Sequence, residues 1–355
     1  MTGASGTNAA NAAKDAARLT VLSIGPQVTV QDGGRPGHIA QGLSRGGAAD
    51  PLALLEAAAV LGLAQPGPGL ELAGFGGRFR AGADLRLALT GAPMQAEIEG
   101  QRLDWNRAHW LRAGQVLSIG GATAGQYGYL TFAAPLRAPL LLGSPSAHLA
   151  AGLGSVLRAG DVLEFGPDPD PALPMIALAV ADRFSGGSLR IAPGPQTGLF
   201  DASCRARLAE TDFRRGAQAN RQGMRLEHPG AGFSTAAAAG LVSDFVGPGD
   251  VQMTGDGLPY ILLAECQTIG GYPRIGTVIG ADIPRASQSG PGAPLRFHWV
   301  TTDEADRLRP DPQAMLAALR RTARPVIRDP ATIPDLLAYQ LVGGVTAGDD
   351  LDRGK

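Results

Sequence analysis

Lysine is nearly missing from this sequence. Lys14 and Lys355 are the only two among 355 residues, while arginine is plentiful. The body between them therefore has no P-loop lysine, no Schiff-base lysine and no lysine to carry biotin or lipoate. An anion held inside must be met by arginine, a helix N-terminus or backbone amides. Cysteine is also scarce: Cys204 and Cys266 are the full set, a usage that fits a reducing cytoplasm. The formal charge of −1 offers no basic excess for nucleic acid or an anionic membrane. No apolar run approaches the roughly 20 residues of a membrane span. The five histidines, at 38, 109, 148, 228 and 298, are scattered without metal-ligand spacing, so no metal site is expected. Neither a G-x-S-x-G elbow nor a dinucleotide fingerprint occurs.

What is present suits a sizeable globular body. Hydrophobic residues make up 44% of the chain, and its length is enough for two domains of ordinary size. Residues 1–18 are Ala-rich and polar, without the charged start and apolar core of a signal peptide, and read as a disordered leader. Short β-branched and alternating segments then dominate, so the fold is expected to be mainly β with a few short helices. A helix over residues 52–61 is signalled by Asp50 as N-cap, Pro51 at the first position and Gly62 as the stop. A second is expected over residues 201–210, and Thr302 should cap a helical tail broken at residues 310–312. One local echo stands out. Leu-Arg-Ala-Gly-Gln-Val-Leu at 111–117 returns as Leu-Arg-Ala-Gly-Asp-Val-Leu at 157–163, each a turn opening a strand. Ser185-Gly186-Gly187-Ser188 is the most flexible junction. The expected organisation is a leader at 1–18, a first unit at 19–184, a second at 185–300 and a tail at 301–355.

The stretch 265–284 departs most from ordinary globular sequence. An apolar run at 260–264 leads into Gln267-Thr268, then Gly270-Gly271 and Tyr272-Pro273, before an apolar strand resumes at 275–279. A polar, backbone-exposing turn between two buried strands is how a rigid scaffold holds a site; a tight turn with a polar tip reads equally well. The Gln31-Asp32-Gly33-Gly34-Arg35-Pro36-Gly37 loop gathers an amide, a carboxylate and a guanidinium at one strand end. The Gly-rich lead-in from Ser44 to Asp50 can meet an anion at a helix N-terminus, although Asp50 itself reads first as a cap.

Taken in order, T-V-Q-D-G-G-R-P-G at 29–37, S-R-G-G-A-A-D-P at 44–51, A-L-T-G-A at 88–92, the paired L-R-A-G-x-V-L segments, P-G-P-Q at 193–196, N-R-x-G-x-R-L at 220–226 and Q-T-x-G-G-Y-P at 267–273 resemble the biotin-dependent carboxyltransferase-like family. That family includes the C-type subunit of 5-oxoprolinase, the Kip antagonist, allophanate hydrolase subunit 2 and the carboxyltransferase region of urea carboxylase. The resemblance covers about residues 20–300. It implies two cyclophilin-like β-barrel units packed around a cleft. It also implies a partner like the B-type subunit of 5-oxoprolinase or allophanate hydrolase subunit 1, and ATP-dependent work on a small amide, lactam or urea-like carbonyl. ATP is held by this chain or by the rest of the complex, and biotin enters only on another chain. A cytoplasmic location goes with these roles.

In such a cleft Gln31, Gln196, Gln252 and Gln267 would bind the C=O and N–H groups of the substrate. The amides of Gly270 and Gly271 would meet a developing oxyanion. Arg35, Arg221 and Arg225 would hold carboxylate or phosphate, with Ser44 and Thr268 as further polar contacts and Tyr272 as a wall. Asp32 is the first candidate for a general base and Asp50 the second. The chain departs from the family where arginine is usual, at Pro145 and at Cys266. This puts 5-oxoproline itself in question and leaves another lactam, amide or urea-like substrate open. A carboxyltransferase component and a non-catalytic regulator of the Kip antagonist type are the competing readings.

Overall fold

The computed structural model describes residues 17–235 and 240–326. Ala17 and Arg18 already belong to the first strand, so only the rest of the expected leader falls outside the described residues, as does the C-terminal stretch after 326. The architecture is mainly β.

The first unit is two seven-stranded sheets facing each other. One is centred on Ala17–Ile24, Phe75–Ala81 and Val116–Ala122, the other on Tyr127–Phe132 and Leu85–Gly91. Leu19, Val21, Phe79, Leu117 and Ile119 from the first meet Leu70, Leu87, Leu89 and Leu130 from the second in one core. The Leu-Arg-Ala-Gly echo has a common structural basis. In both copies the Arg backbone N–H is held by the side chain three residues on, Gln115 at 2.8 Å and Asp161 at 2.7 Å. Each glycine N–H then anchors to a neighbouring strand, Gly114 to Ala81 O and Gly160 to Val21 O, both at 2.8 Å. The same turn is thus used twice to launch a strand on opposite flanks of one sheet.

Alternation in Leu85-Arg86-Leu87-Ala88-Leu89 suggests a strand with one wet face, yet every residue of Leu85–Gly91 is buried. The helix Pro51–Leu61 covers the other face, packing Ala57, Val60 and Leu61 on Ala88 and Ala108. Arg86 is consumed there: it donates to Leu61 O at 3.0 Å, at the helix C-terminus, and forks onto Asp168 at 2.9 Å. The helix start follows the sequence signals, with Asp50 accepting from Ala53 N and Gly62 left-handed at φ 71°.

The second unit is a closed barrel of seven strands. Its first strand, Gly187–Ala192, pairs in parallel with its last, Pro294–Trp299, and this closes it. Ile191, Phe213, Leu226, Phe233, Val251, Ile261, Ile275 and Phe297 fill the interior. Ala202–Glu210 is helical, as expected, with Asp201 as its cap. In the tail the cap of Thr302–Arg307 is Thr301, one residue before the expected Thr302, because Glu304 stands three residues on and completes a capping box. The chain then returns to the first unit. Helix Pro312–Thr322 sets Leu316 against Leu55, Ala58 and Ala59, and Arg324–Pro325 pairs with Ile176–Ala177.

The seam between the units is polar. Gln288 donates to Asp50 Oδ2 and to Tyr127 O, both at 2.8 Å, and accepts from Gln126 N and Tyr127 N. Next to it Arg183 bridges two buried carboxylates: Nε meets Asp50 Oδ2 at 2.7 Å, and the two Nη atoms fork onto Glu56 at 2.7 Å each. Removing one partner of such a set leaves unpaired buried charge. Arg183→Met should therefore lower stability by about 3–5 kcal/mol, read from the urea midpoint. A loss within the scatter of surface substitutions would show that the bridge does not hold the helix to the seam.

Candidate active site at the seam

The site is built where two loops of the first unit cross. Arg35 N donates to Arg45 O at 2.8 Å and Ala48 N to Asp32 O at 2.9 Å, lacing loop 32–37 to loop 44–50. The crossing is too close for side chains. Gly34 and Gly47 sit at φ 75° and 82°, and a Cβ on Gly47 would lie 2.6 Å from Gly34 N. Only glycine meets both demands.

Asp32 is fixed by this crossing. Its Oδ1 accepts from Gly34 N at 2.8 Å, Ser144 Oγ at 2.6 Å and Ser146 Oγ at 2.5 Å, while Oδ2 makes no hydrogen bond with any described residue. One oxygen is thereby held and the other presented. Arg35 is buried beneath the same loop: Nε donates to Leu141 O at 3.2 Å, and Nη2 to the carbonyls of Ser144 and Ser146. Its Nη1 is sealed from solvent with no partner among the described residues. Burial lowers the affinity of this guanidinium for its proton, against the pull of Asp32 and Glu265. Gln31 is similarly half-used: Nε2 donates to Thr29 Oγ1 at 2.9 Å and Ala147 O at 3.0 Å, and Oε1 is sealed without a partner among the described residues.

Ser44 leads to a group the sequence did not single out. Its Oγ lies 2.9 Å from His148 Nε2, and His148 Nδ1 accepts from Ala151 N at 3.2 Å. With Nδ1 an acceptor, the neutral ring carries its proton on Nε2 and donates it to Ser44. Glu265 Oε2 stands 3.9 Å from Nδ1. Ser, His and Glu are in line, but the tautomer is the reverse of the one that activates a serine. Burial pushes the His148 pKa below its ordinary 6.5, opposed by Glu265. The same Glu265 takes Ala150 N at 3.1 Å and Arg221 Nε at 2.6 Å.

The second pole lies on the barrel. The strands Pro259–Leu262 and Arg274–Val278 are not neighbours, because Asp250–Met253 runs between them. Segment 263–273 must therefore arch over the strand that carries Gln252. The arch brings Gln267 Nε2 to 3.2 Å from Gln252 Oε1. Gln252 Nε2 is sealed with no partner among the described residues and lies 2.5 Å from where a Cβ on Gly270 would be. Gly270 is needed for this close approach, and φ > 0 is not its reason: it pairs with Asp244 in a short ribbon. Gly271 follows it, near Ser243. The arch also touches the first pole, since Gly46 N donates to Ala264 O at 3.1 Å and Thr268 Oγ1 lies 3.9 Å from where a Cβ on Gly42 would be. A hollow of about 220 Å³ opens beside this junction, lined by Gln27, Leu149 and Ala150 from one unit and Asn220, Arg221, Gln222 and Glu265 from the other.

Other predicted residues are placed differently. Asp50 is fully buried and committed to its helix, Arg183 and Gln288, so it has no free edge for a base. Arg221 borders the hollow, but all three of its nitrogens are engaged, with Glu265, Glu71 and Gly47 O. It binds the units together and holds no spare donor face for an anion. Arg225 pairs with Asp256 at 2.6 Å on an exposed hairpin. Gln196 Oε1 accepts from Arg274 N at 3.0 Å and so fixes backbone. Tyr272 is exposed at the arch beside exposed Ile269. Cys266, where the family resemblance suggests arginine, is buried against Val246 and Leu262, its thiol pushed up to about 12 by that burial. Sequence reasoning missed Ser144, Ser146, His148, Glu71 and Glu265. Only the short Ser-Pro-Ser run hinted at the first two.

A mainly β fold with a closed barrel and a laced polar seam defines a class. The chain matches the family described as "Carboxyltransferase domain, subdomain A and B" over residues 41–299 and belongs to it. It resembles the C-type subunit of 5-oxoprolinase from Escherichia coli (strain K12), at 32% identity over 299 residues covering 83% of this chain and 95% of the relative. Among solved structures, TTHA0988 is 30% identical with a TM-score of 0.71, over 80% of this chain and 56% of that one. The K. lactis urea amidolyase, at 22% identity and a TM-score of 0.75 over 85% of this chain, shares the fold; this chain spans 20% of that polypeptide. No helix among the described residues is long and apolar enough to cross a membrane.

His148 yields a pH prediction. The folded chain holds it neutral at a lowered pKa, while the unfolded chain protonates it near 6.5. Below pH 6.5 the unfolded state binds more protons, so stability falls as pH drops from 6.5 toward the lowered folded value. His148→Gln should flatten the stability profile in that window, measured by urea unfolding between pH 7 and pH 5. An unchanged slope would show that His148 protonates equally in both states.

Proposed function

We propose that this chain is the C-type subunit of a 5-oxoprolinase-like complex and takes part in opening a small cyclic amide to its open-chain acid. The match to nearly the whole length of the Escherichia coli relative carries this reading. In it, Asp32 Oδ2 is the proton acceptor, since Oδ1 is held by three donors. Gln31, Arg35 and Gln252 each keep one polar atom that is sealed and without a partner among the described residues, and a substrate would reach it only once that atom is uncovered. The hydrogen-bonded Gln252–Gln267 amide pair would meet it from the barrel.

A nucleotide fits the described residues poorly. They contain no lysine and no group of three His, Cys, Asp or Glu able to hold a metal ion. ATP would then be held by the partner, a protein like the B-type subunit of 5-oxoprolinase or allophanate hydrolase subunit 1. The family description favours a second reading, a carboxyltransferase component acting on a urea-like substrate. Biotin would then arrive on another chain, because the described residues offer no lysine to carry it.

The complex, reconstituted with its partner, should hydrolyse ATP in response to a lactam. Asp32→Asn should cut its turnover by about 10²–10⁴, and Gln267→Ala should raise KM more than it lowers kcat. Full turnover in both variants would remove the assignment. Avidin inhibition of a carboxylation reaction would select the second reading.

A further inference from the structure

A larger cleft lies on the barrel, between helix Ala202–Glu210 and helix Thr302–Arg307, and shares no lining residue with the hollow beside Arg221. Its volume is about 390 Å³, within the roughly 300–1,000 Å³ usual for small-molecule sites. The walls are apolar and fixed. Trp299, at the end of strand Pro294–Trp299, is half-buried against the barrel core, and its Nε1 donates to Arg205 O at 3.0 Å. The indole is thus held by core and helix while it also lines the cleft. Pro193 and Thr197, on either side of the P-G-P-Q run, line it too. Thr197 Oγ1 accepts from Gly194 N and donates to Ile275 O, both at 2.8 Å, so this wall is pinned to the barrel. The space exists because the helix presents Ala202 and Ala206, one turn apart and both exposed. A larger side chain at either would fill it.

Between those alanines the helix places Arg205, half-buried and lining the cleft. Its side chain makes no hydrogen bond and no ion pair with any described residue, and its Nε is sealed from solvent. Arg207, two positions on, shows the contrast: it donates to Ala231 O at 2.6 Å and Gly232 O at 2.9 Å. The carboxylates near Arg205 are engaged elsewhere. Asp201 Oδ1 accepts from Ser203 Oγ at 2.7 Å and Cys204 N at 2.6 Å. Glu304, which also lines the cleft, accepts from Thr301 N at 2.8 Å and Thr301 Oγ1 at 3.0 Å through Oε2. An unmatched guanidinium among apolar walls offers a flat edge to a carboxylate. The Glu304 charge on the same cleft disfavours a ligand with a second negative charge.

We propose that this cleft binds a small aromatic monocarboxylate, its ring against Trp299 and the two alanines and its carboxylate on Arg205. The site is separate from Asp32 and does not depend on the reaction assigned above.

The test uses the full chain, with indole-3-acetate as the probe, its neutral amide indole-3-acetamide as the control and calorimetry as the readout. The acid should bind saturably, one per chain, and about tenfold more tightly than the amide, the difference made by a hydrogen bond to a charged group. Arg205→Gln should bring acid and amide to the same affinity. Ala206→Phe should abolish binding of both by filling the cleft, with the thermal midpoint reporting that the variant folds; if it does not fold, Ala202→Leu replaces it. No saturable binding of the acid, equal affinity for acid and amide in the unaltered chain, a preference that survives Arg205→Gln, or undiminished binding in the filled cleft overturns the site.

Discussion

Arg221 is the pivot of this molecule. It projects from the barrel and engages Glu71 and the Gly47 carbonyl of the first unit and Glu265 of its own. Glu71 in turn takes Ala49 N at 2.8 Å and Tyr129 OH at 2.6 Å, and Tyr129 OH accepts from Asp50 N. One guanidinium therefore positions the start of helix Pro51–Leu61, the glycine crossing and the arch of the barrel together. A buried ion pair stabilises only when its remaining hydrogen-bonding capacity is met. Here each partner carries further bonds, so the set fixes the mutual placement of the units more than it adds bulk stability.

The rest of the site follows from that placement. Glu265 is shared between Arg221, the Ala150 amide and the near side of His148. The arch that carries Glu265 also carries Gln267, so the bonds of Glu265 tie the second pole to the first unit. The atoms left over are informative as a group. Gln31 Oε1, Arg35 Nη1 and Gln252 Nε2 are sealed and unmatched, whereas buried polar atoms of folded proteins are ordinarily paired. Each costs stability where it stands, in contrast to the satisfied set around Arg221.

Much of this was legible beforehand. Asp50, Pro51 and Gly62 bounded a helix within one residue because capping chemistry is local. The Leu-Arg-Ala-Gly echo was a repeated turn, and the Gly-rich loops were where backbone crosses backbone. What sequence could not separate was a polar residue that binds from one that braces. Arg35, Arg221 and Arg225 look alike as letters. One lies under a loop, one spans the seam and one pairs on a hairpin, and the partners deciding this sit 31 to 150 positions away. Asp50 illustrates the same limit, since Arg183 and Gln288 claim it from 133 and 238 residues on. His148 gave no signal because its neighbours in the chain, Ala147 and Leu149, are apolar, and its partners lie in other loops.

The returning tail bears on how such a protein could be built. Helix Pro312–Thr322 and strand Arg324–Pro325 complete the packing of the first unit after the barrel has been made. In topological terms the barrel is a guest inserted into a discontinuous host. The host is finished only when its last segment has been synthesised, so the two halves cannot be parted by a single cut in the chain without stripping the host of part of its own covering.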